Sequence, residues 1–141
     1  MTNHMVSFTY TPTGQRATMT DASGQTTYGY DNRNRLVSKA TPEGTLTYSY
    51  DAAGDVKTIQ SSNAGGANLA YAYDTLNRLG TVTDVNGSTV YGYDNVGNLQ
   101  SVTYPNSVAH SYSYDTRNRL TSLAVALSCT DVPKIAVEIE G

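Results

Sequence analysis

The chain has 141 residues, enough for one domain, and a formal net charge of −3 with only 15 % charged residues, so no basic surface for nucleic acid is available. Leu, Ile, Val and Phe number only 25, with no Trp and one Phe, whereas there are 12 Tyr and 12 Gly. That balance favours turn-rich β-structure and argues against a helical bundle, a membrane span or a disulfide scaffold.

Residues 1–5 are expected to form a flexible N-terminal extension. They lack the basic and apolar regions of a signal peptide, so the chain as given carries no export signal of its own. Export would need a longer parent chain or a dedicated secretion system. From residue 6 the chain becomes periodic. A degenerate copy, Phe8-Thr-Tyr10-Thr11, comes first. Five full copies follow: Tyr28-Gly-Tyr30-Asp31, Tyr48-Ser-Tyr50-Asp51, Tyr71-Ala-Tyr73-Asp74, Tyr91-Gly-Tyr93-Asp94 and Tyr112-Ser-Tyr114-Asp115. The second Tyr steps from 10 to 30, 50, 73, 93 and 114, a period of 20 to 23 residues. A fixed period of that size marks a repeat architecture, here over residues 6–123.

Each copy continues with the same grammar. After the Asp come two variable residues, then Asn or Gly, a polar residue and an apolar one, as in Asp31-Asn-Arg-Asn34-Arg-Leu36. The fourth position holds Gly14, Asn34, Gly54, Asn77, Gly97 and Asn118. Asn and Gly tolerate a left-handed backbone, and a type I turn followed by a left-handed residue is a common hairpin connection. An Asp opening such a turn can accept bonds from N–H groups two residues on. In the first copy Thr11 replaces Asp, and Pro12 suits the second turn position. A second turn closes each period on the opposite edge: Asp21-Ala-Ser-Gly24, Thr41-Pro-Glu-Gly44, Asp84-Val-Asn-Gly87 and Tyr104-Pro-Asn-Ser107. In the third unit it expands over residues 61–68, which accounts for the 23-residue step.

The segments between turns are strand-like and about six residues long. In the ascending strands Leu46, Tyr48 and Tyr50 share one face while Thr45, Thr47 and Ser49 share the other. The Tyr faces are read as rows across neighbouring hairpins. In the descending strands the apolar residues are spaced by three: Val56 and Ile59, Leu79 and Val82, Leu99 and Val102, Leu120 and Leu123. That spacing puts them on opposite faces unless a bulge intervenes, so both faces are expected to be partly buried. The expected fold is all-β: repeated antiparallel hairpins, about 12 strands, forming a curved, spiralling sheet that does not close at this length. Residues 124–141 leave the repeat as a non-repeat tail. It can be read as a last strand or cap, a disordered end or a remnant of truncation, and residues 132–140 do alternate like a strand.

Tyr-x-Tyr-Asp-x-x-(Asn/Gly)-(Arg/Asn)-Leu, recurring about every 20 residues, resembles the YD repeat of the rearrangement hot spot (RHS) family. Similar proteins include bacterial polymorphic toxins, shell components of insecticidal toxin complexes and animal teneurins. The resemblance implies a β-sheet that spirals into a hollow shell. In the bacterial toxins that shell encloses a C-terminal toxic domain; in teneurins a related shell works in adhesion at the cell surface, and some relatives are associated with carbohydrate. It therefore implies a secreted or cell-surface location, with the remainder of a longer chain or an encapsulated effector as partner. Shells of the family need several hundred residues, and nothing after Leu120 matches the proline- and aspartate-rich self-cleavage motif of its bacterial members.

No catalytic, cofactor-binding or metal site stands out, and the chain is read as non-catalytic. The YD aspartates recur singly, each on its own turn, which suits turn caps better than converging calcium ligands or the paired acids of a glycosidase. His4 and His110 share no metal-like spacing with a Cys or carboxylate, and Cys129 has no evident base. Gly65-Gly66 lacks the strand–loop–helix context of a phosphate cradle. Arg33, Arg35, Arg78, Arg117 and Arg119 are read as a solvated edge paired to Asp31, Asp74 and Asp115, in preference to a site for a glycan or acidic polymer. The Tyr rows are read as the core that Leu and Phe do not supply, in preference to sugar-stacking platforms. The alternative function is a carbohydrate- or cell-surface-binding module. Open terminal edges also invite edge-to-edge self-association.

Overall fold

A computed structural model describes residues 5–127. Among them are twelve strands and no helix: β1 (Ser7–Tyr10), β2 (Arg16–Asp21), β3 (Gly24–Tyr30), β4 (Leu36–Thr41), β5 (Gly44–Tyr50), β6 (Val56–Ser61), β7 (Asn68–Tyr73), β8 (Leu79–Asp84), β9 (Gly87–Tyr93), β10 (Leu99–Thr103), β11 (Val108–Tyr114) and β12 (Leu120–Leu127). They form one sheet in chain order, and it is not closed. The chain divides into two units, Met1–Asn86 with β1–β8 and Gly87–Gly141 with β9–β12. Within each unit every strand touches only its chain neighbours, and the pairing is antiparallel throughout. β12 runs to Leu127, four residues past the repeat grammar. His4, Cys129 and the strand-like residues 132–140 lie outside the described residues.

The descending strands correct one expectation. Every YD hairpin carries a β-bulge just after its turn. Between β5 and β6, Ser49 pairs with Thr58 but Tyr50 pairs with Val56, so Lys57 has no opposite residue. Val37, Gly80, Gln100 and Thr121 are skipped in the same way. The extra residue absorbs the odd spacing. Val56 therefore stands opposite Tyr50 and Ile59 opposite Tyr48, both on the Tyr face. Leu79 and Val82 face Tyr73 and Tyr71, and Leu120 and Leu123 face Tyr114 and Tyr112. The apolar residues are thus gathered on one face rather than shared between two.

The other face is paved with small residues. Gly29, Ser38 and Thr47 lie side by side, as do Ser49, Thr58 and Ala70. At Gly29 and Gly92 a Cβ would collide with the hydroxyls of Ser38 and Ser101. The turns opposite the YD turns also nest closely. A Cβ on Gly24 (φ 125°) would sit 2.6 Å from Pro42 Cγ, and one on Gly87 (φ 127°) would sit 2.9 Å from Pro105 Cβ. Only Val102, on the Tyr face, and Thr26 are buried among the described residues. Most Tyr-face residues are half-buried, because within each unit no second layer covers the sheet.

Candidate functional site

The repeats share a turn, and most of them add a clamp and a rung to it. The turn begins at the Asp. Asp31 N–H donates to Arg35 O (2.9 Å) and Asn34 N–H to Asp31 O (3.0 Å), and Asp74 and Asp115 repeat this with Arg78 and Asn77, and with Arg119 and Asn118. The fourth residue is left-handed every time: Asn34 at φ 61°, Asn77 at 61°, Asn118 at 59°, Gly14 at 86°, Gly54 at 106° and Gly97 at 96°. The Asp side chain closes the turn from inside. Asp31 Oδ1 accepts from Arg33 N–H and Arg35 N–H, both at 2.9 Å. Asp74, Asp94 and Asp115 do the same two and four residues on. Asp51 accepts from Gly54 and Asp55 N–H.

A clamp occupies the second carboxylate oxygen. Arg35 Nε and Nη2 both reach Asp31 Oδ2, at 2.8 and 2.7 Å. Arg78 holds Asp74 and Arg119 holds Asp115 in the same geometry. In the Asp94 turn the amide of Asn98 takes this place at 3.0 Å and also donates to Asn118 Oδ1 in the next turn at 3.1 Å. These contacts set the carboxyls. The Arg35 backbone N–H, opposed by partial desolvation and aided by the guanidinium, holds Asp31 below the ordinary carboxylate value. The Arg78 and Arg119 backbone N–H groups, followed by their guanidiniums, do the same for Asp74 and Asp115. At Asp94 desolvation is the largest influence and pushes upward, but the Asn98 side chain and backbone together lower the carboxyl.

The rung comes from the second Tyr of the motif. Tyr50 OH donates to Leu36 O on β4 at 2.8 Å. Tyr30 OH reaches Arg16 O (2.9 Å), Tyr73 OH reaches Val56 O (3.0 Å) and Tyr114 OH reaches Leu99 O (2.9 Å). These carbonyls lie at the bulges, where the ladder between repeats has stopped: the β4–β5 register begins only at Ser38 and Thr47. The phenol supplies the hydrogen bond that the ladder cannot, so these four repeats are tied to the one before. Tyr73 has its hydroxyl pKa raised, by desolvation first and then by the charges of Asp55 and Asp51, which keeps it protonated as a donor.

The turn grammar of the sequence does not call for this rung. Its signal was present all the same. The second aromatic is Tyr in all six copies, whereas the first admits Phe8. Ring packing alone does not require a hydroxyl. Arginines add ring contacts: Arg35 Cζ lies 4.3 Å over Tyr50, and Arg16 Cζ lies 4.8 Å over Phe8. In the Asp51 turn an acid, Asp55, stands where the other Asp turns carry Arg or Asn, and Asp55 Oδ2 and Arg35 Nη1 are buried without a hydrogen bond.

One depression, about 540 Å³, is an open groove in the second unit lined in part by Asp94, Asn98, Gln100, Tyr112 and Tyr114. Several of its polar groups are engaged within the turns, and Tyr114 OH is held by Leu99 O. His110 stands edge-on to Tyr104 and Tyr112, with centroids at 5.2 and 6.4 Å. Among the described residues no three His, Cys, Asp or Glu side chains gather as a metal site.

The repeated assembly has a counterpart among known proteins. Residues 2–127 match the family model of the teneurin YD-shell. The chain belongs to that family. The fold agrees with solved structures of toxin complexes. The crystal structure of TcdB2-TccC3-Cdc42 superposes with a TM-score of 0.69 at 21 % identity, over 85 % of this chain and 7 % of that one. That of TcdB2-TccC3-TEV gives 0.67 at 19 % identity, over 82 % and 8 %. A Photorhabdus luminescens Tc holotoxin pore gives 0.50 at 22 % identity, over 89 % and 7 %. The chain thus spans less than a tenth of the length of these structures. Comparison with curated proteins gives no match.

Proposed function

We propose that this YD-shell chain is a non-catalytic length of shell wall in a longer secreted or cell-surface protein, where the wall encloses or presents a C-terminal toxin or effector. The rung carries this reading. In four repeats the motif's second Tyr, Tyr30, Tyr50, Tyr73 or Tyr114, donates to a bulge carbonyl of the repeat before. A unit of that kind extends a sheet without limit and uses its polar chemistry for the extension. The Asp carboxylates are likewise committed to their turns and clamps, which leaves no evident acid–base pair for hydrolysis.

The reading as a glycan-binding module has less behind it, because in the 540 Å³ groove the side chains of Asp94, Asn98 and Asn118 are bonded to one another. The test is the coding sequence on either side of this segment, followed by limited proteolysis of the whole product. The proposal expects an open frame with further YD units, a variable C-terminal region, and protection of that region until the wall is cut. A C-terminal region cleaved as fast inside the whole product as when it is made alone overturns it.

A further inference from the structure

We propose that β12, where no further repeat is joined to it, is a self-complementary edge through which two copies of this chain pair, antiparallel, into a twofold dimer. β12 has eight residues, Leu-Thr-Ser-Leu-Ala-Val-Ala-Leu, and is the longest strand of the sheet. Its one neighbour among the described residues is β11, so the backbone donors and acceptors of its other edge are unpaired by any described strand. Every residue in it is exposed, with Leu123 at 54 %, Val125 at 61 % and Leu127 at 74 %.

Edge strands are ordinarily protected by charge, Pro, bulges or shortness. β12 has no charged residue and no Pro, and its bulge at Thr121 lies near the start, so residues 122–127 continue as regular strand. The opposite end of the sheet offers less: β1 is four residues long.

The occupant is indicated by the order of the residues. Residues 123–127 read Leu-Ala-Val-Ala-Leu, the same in both directions. An antiparallel strand runs backwards past its partner, so a second copy of this segment aligns like with like. With Val125 opposite Val125 of the second copy, Leu123 falls opposite Leu127 and Ala124 opposite Ala126. The twofold axis then stands perpendicular to the sheet, and each face is continued by the same face. Leu123 and Val125 share the face of Tyr112 and His110, while Ala124 and Ala126 share the small-residue face of Ser111 and Ala109. The apolar row therefore runs unbroken from one copy into the next, with no charge buried and no side chain opposed by one of different size. Such an isologous contact closes on itself at two copies. Main-chain bonds give strand addition its affinity, and a contact this small gives a weak dimer.

Sedimentation velocity of the full chain, from micromolar to millimolar concentration, tests the proposal. The wild type is expected to pass from monomer to dimer and stop there. Val125→Lys places two ammonium groups opposite each other and is expected to raise the dissociation constant at least about tenfold. In a Cys129→Ser background, Val125→Cys is expected to form a covalent dimer under oxidised glutathione, because residues directly opposite bring their Cβ atoms to about 4.5–5.5 Å. Ala126→Cys, which faces residue 124 of the second copy, is expected to cross-link far less. The cysteine variants carry the test if Val125→Lys fails to fold. A wild type that stays monomeric throughout overturns the proposal. Growth beyond a dimer, or a Val125→Lys chain that folds and dimerises like the wild type, overturns it as well.

Discussion

At the scale of the residue, the YD motif assigns a different bond to each of its positions. Asp turns the chain, Asn or Gly takes the left-handed step, and the second Tyr binds a carbonyl one strand back. The hydroxyl is therefore worth about one net hydrogen bond, plus the cost of leaving Leu36 O unmet on a half-buried sheet. Tyr50→Phe is expected to destabilise the chain by about 1 kcal/mol in a urea titration. Tyr10→Phe, on the outermost strand at 64 % exposure, is expected to change stability by less than about 0.5 kcal/mol.

The carboxylates predict an acid limit. Asp31, Asp74 and Asp115 are held below the ordinary value of 3.8, chiefly by backbone N–H groups four residues on. A native value below the unfolded one means that the charged form is favoured by folding. Its contribution is present above pH 3.8 and drains away as pH falls through the lowered native values. Thermal melts are expected to show a falling midpoint below about pH 4, with a shallower fall in Asp74→Asn. An Asp74→Asn profile parallel to that of the wild type would remove the carboxylate from this account.

At the scale of the element, the bulge decides which way the descending strand faces. One unpaired residue after each YD turn converts a spacing of three into a single apolar face. The identity of that residue matters little, since Val37, Lys57, Gly80, Gln100 and Thr121 all serve. Its presence matters a great deal. Lys57→Ala is expected to be near neutral. Deletion of Lys57 forces either Val56 or Ile59 off the Tyr face and is expected to cost roughly 1–3 kcal/mol, the worth of burying one aliphatic side chain. Equal stabilities for the two variants would show that facing is not what the bulge supplies.

At the scale of the whole molecule, the sheet stands within each unit as a single layer whose strands touch only chain neighbours. Stability is then close to a sum over hairpins and their interfaces. Two buried side chains among the described residues, Val102 and Thr26, leave little surface to expose on unfolding. The urea m-value scales with that surface, so it is expected to fall below that of a two-layer domain of 141 residues. A value equal to that of such a domain would mean that a second layer, from a partner or from residues beyond Leu127, covers the sheet in solution.

The period, the number of strands and the placement of both sets of turns were legible in the sequence, because turn chemistry is local. Asp, Asn and Gly act on backbone groups two to four residues away, and a motif of that span can be read directly. The Arg clamps on Asp31, Asp74 and Asp115 were legible for the same reason, each being an i,i+4 contact. The facing of Val56 and Ile59 was not, since it depends on which residue the neighbouring strand leaves unpaired. Nor was the tyrosine rung, which joins residues 14 to 17 apart across a strand boundary. The sequence by itself determined a YD-repeat sheet. Only the tertiary register decided that its apolar residues share one face and that its tyrosines close the gaps between repeats, because both follow from where one strand's ladder ends against the next.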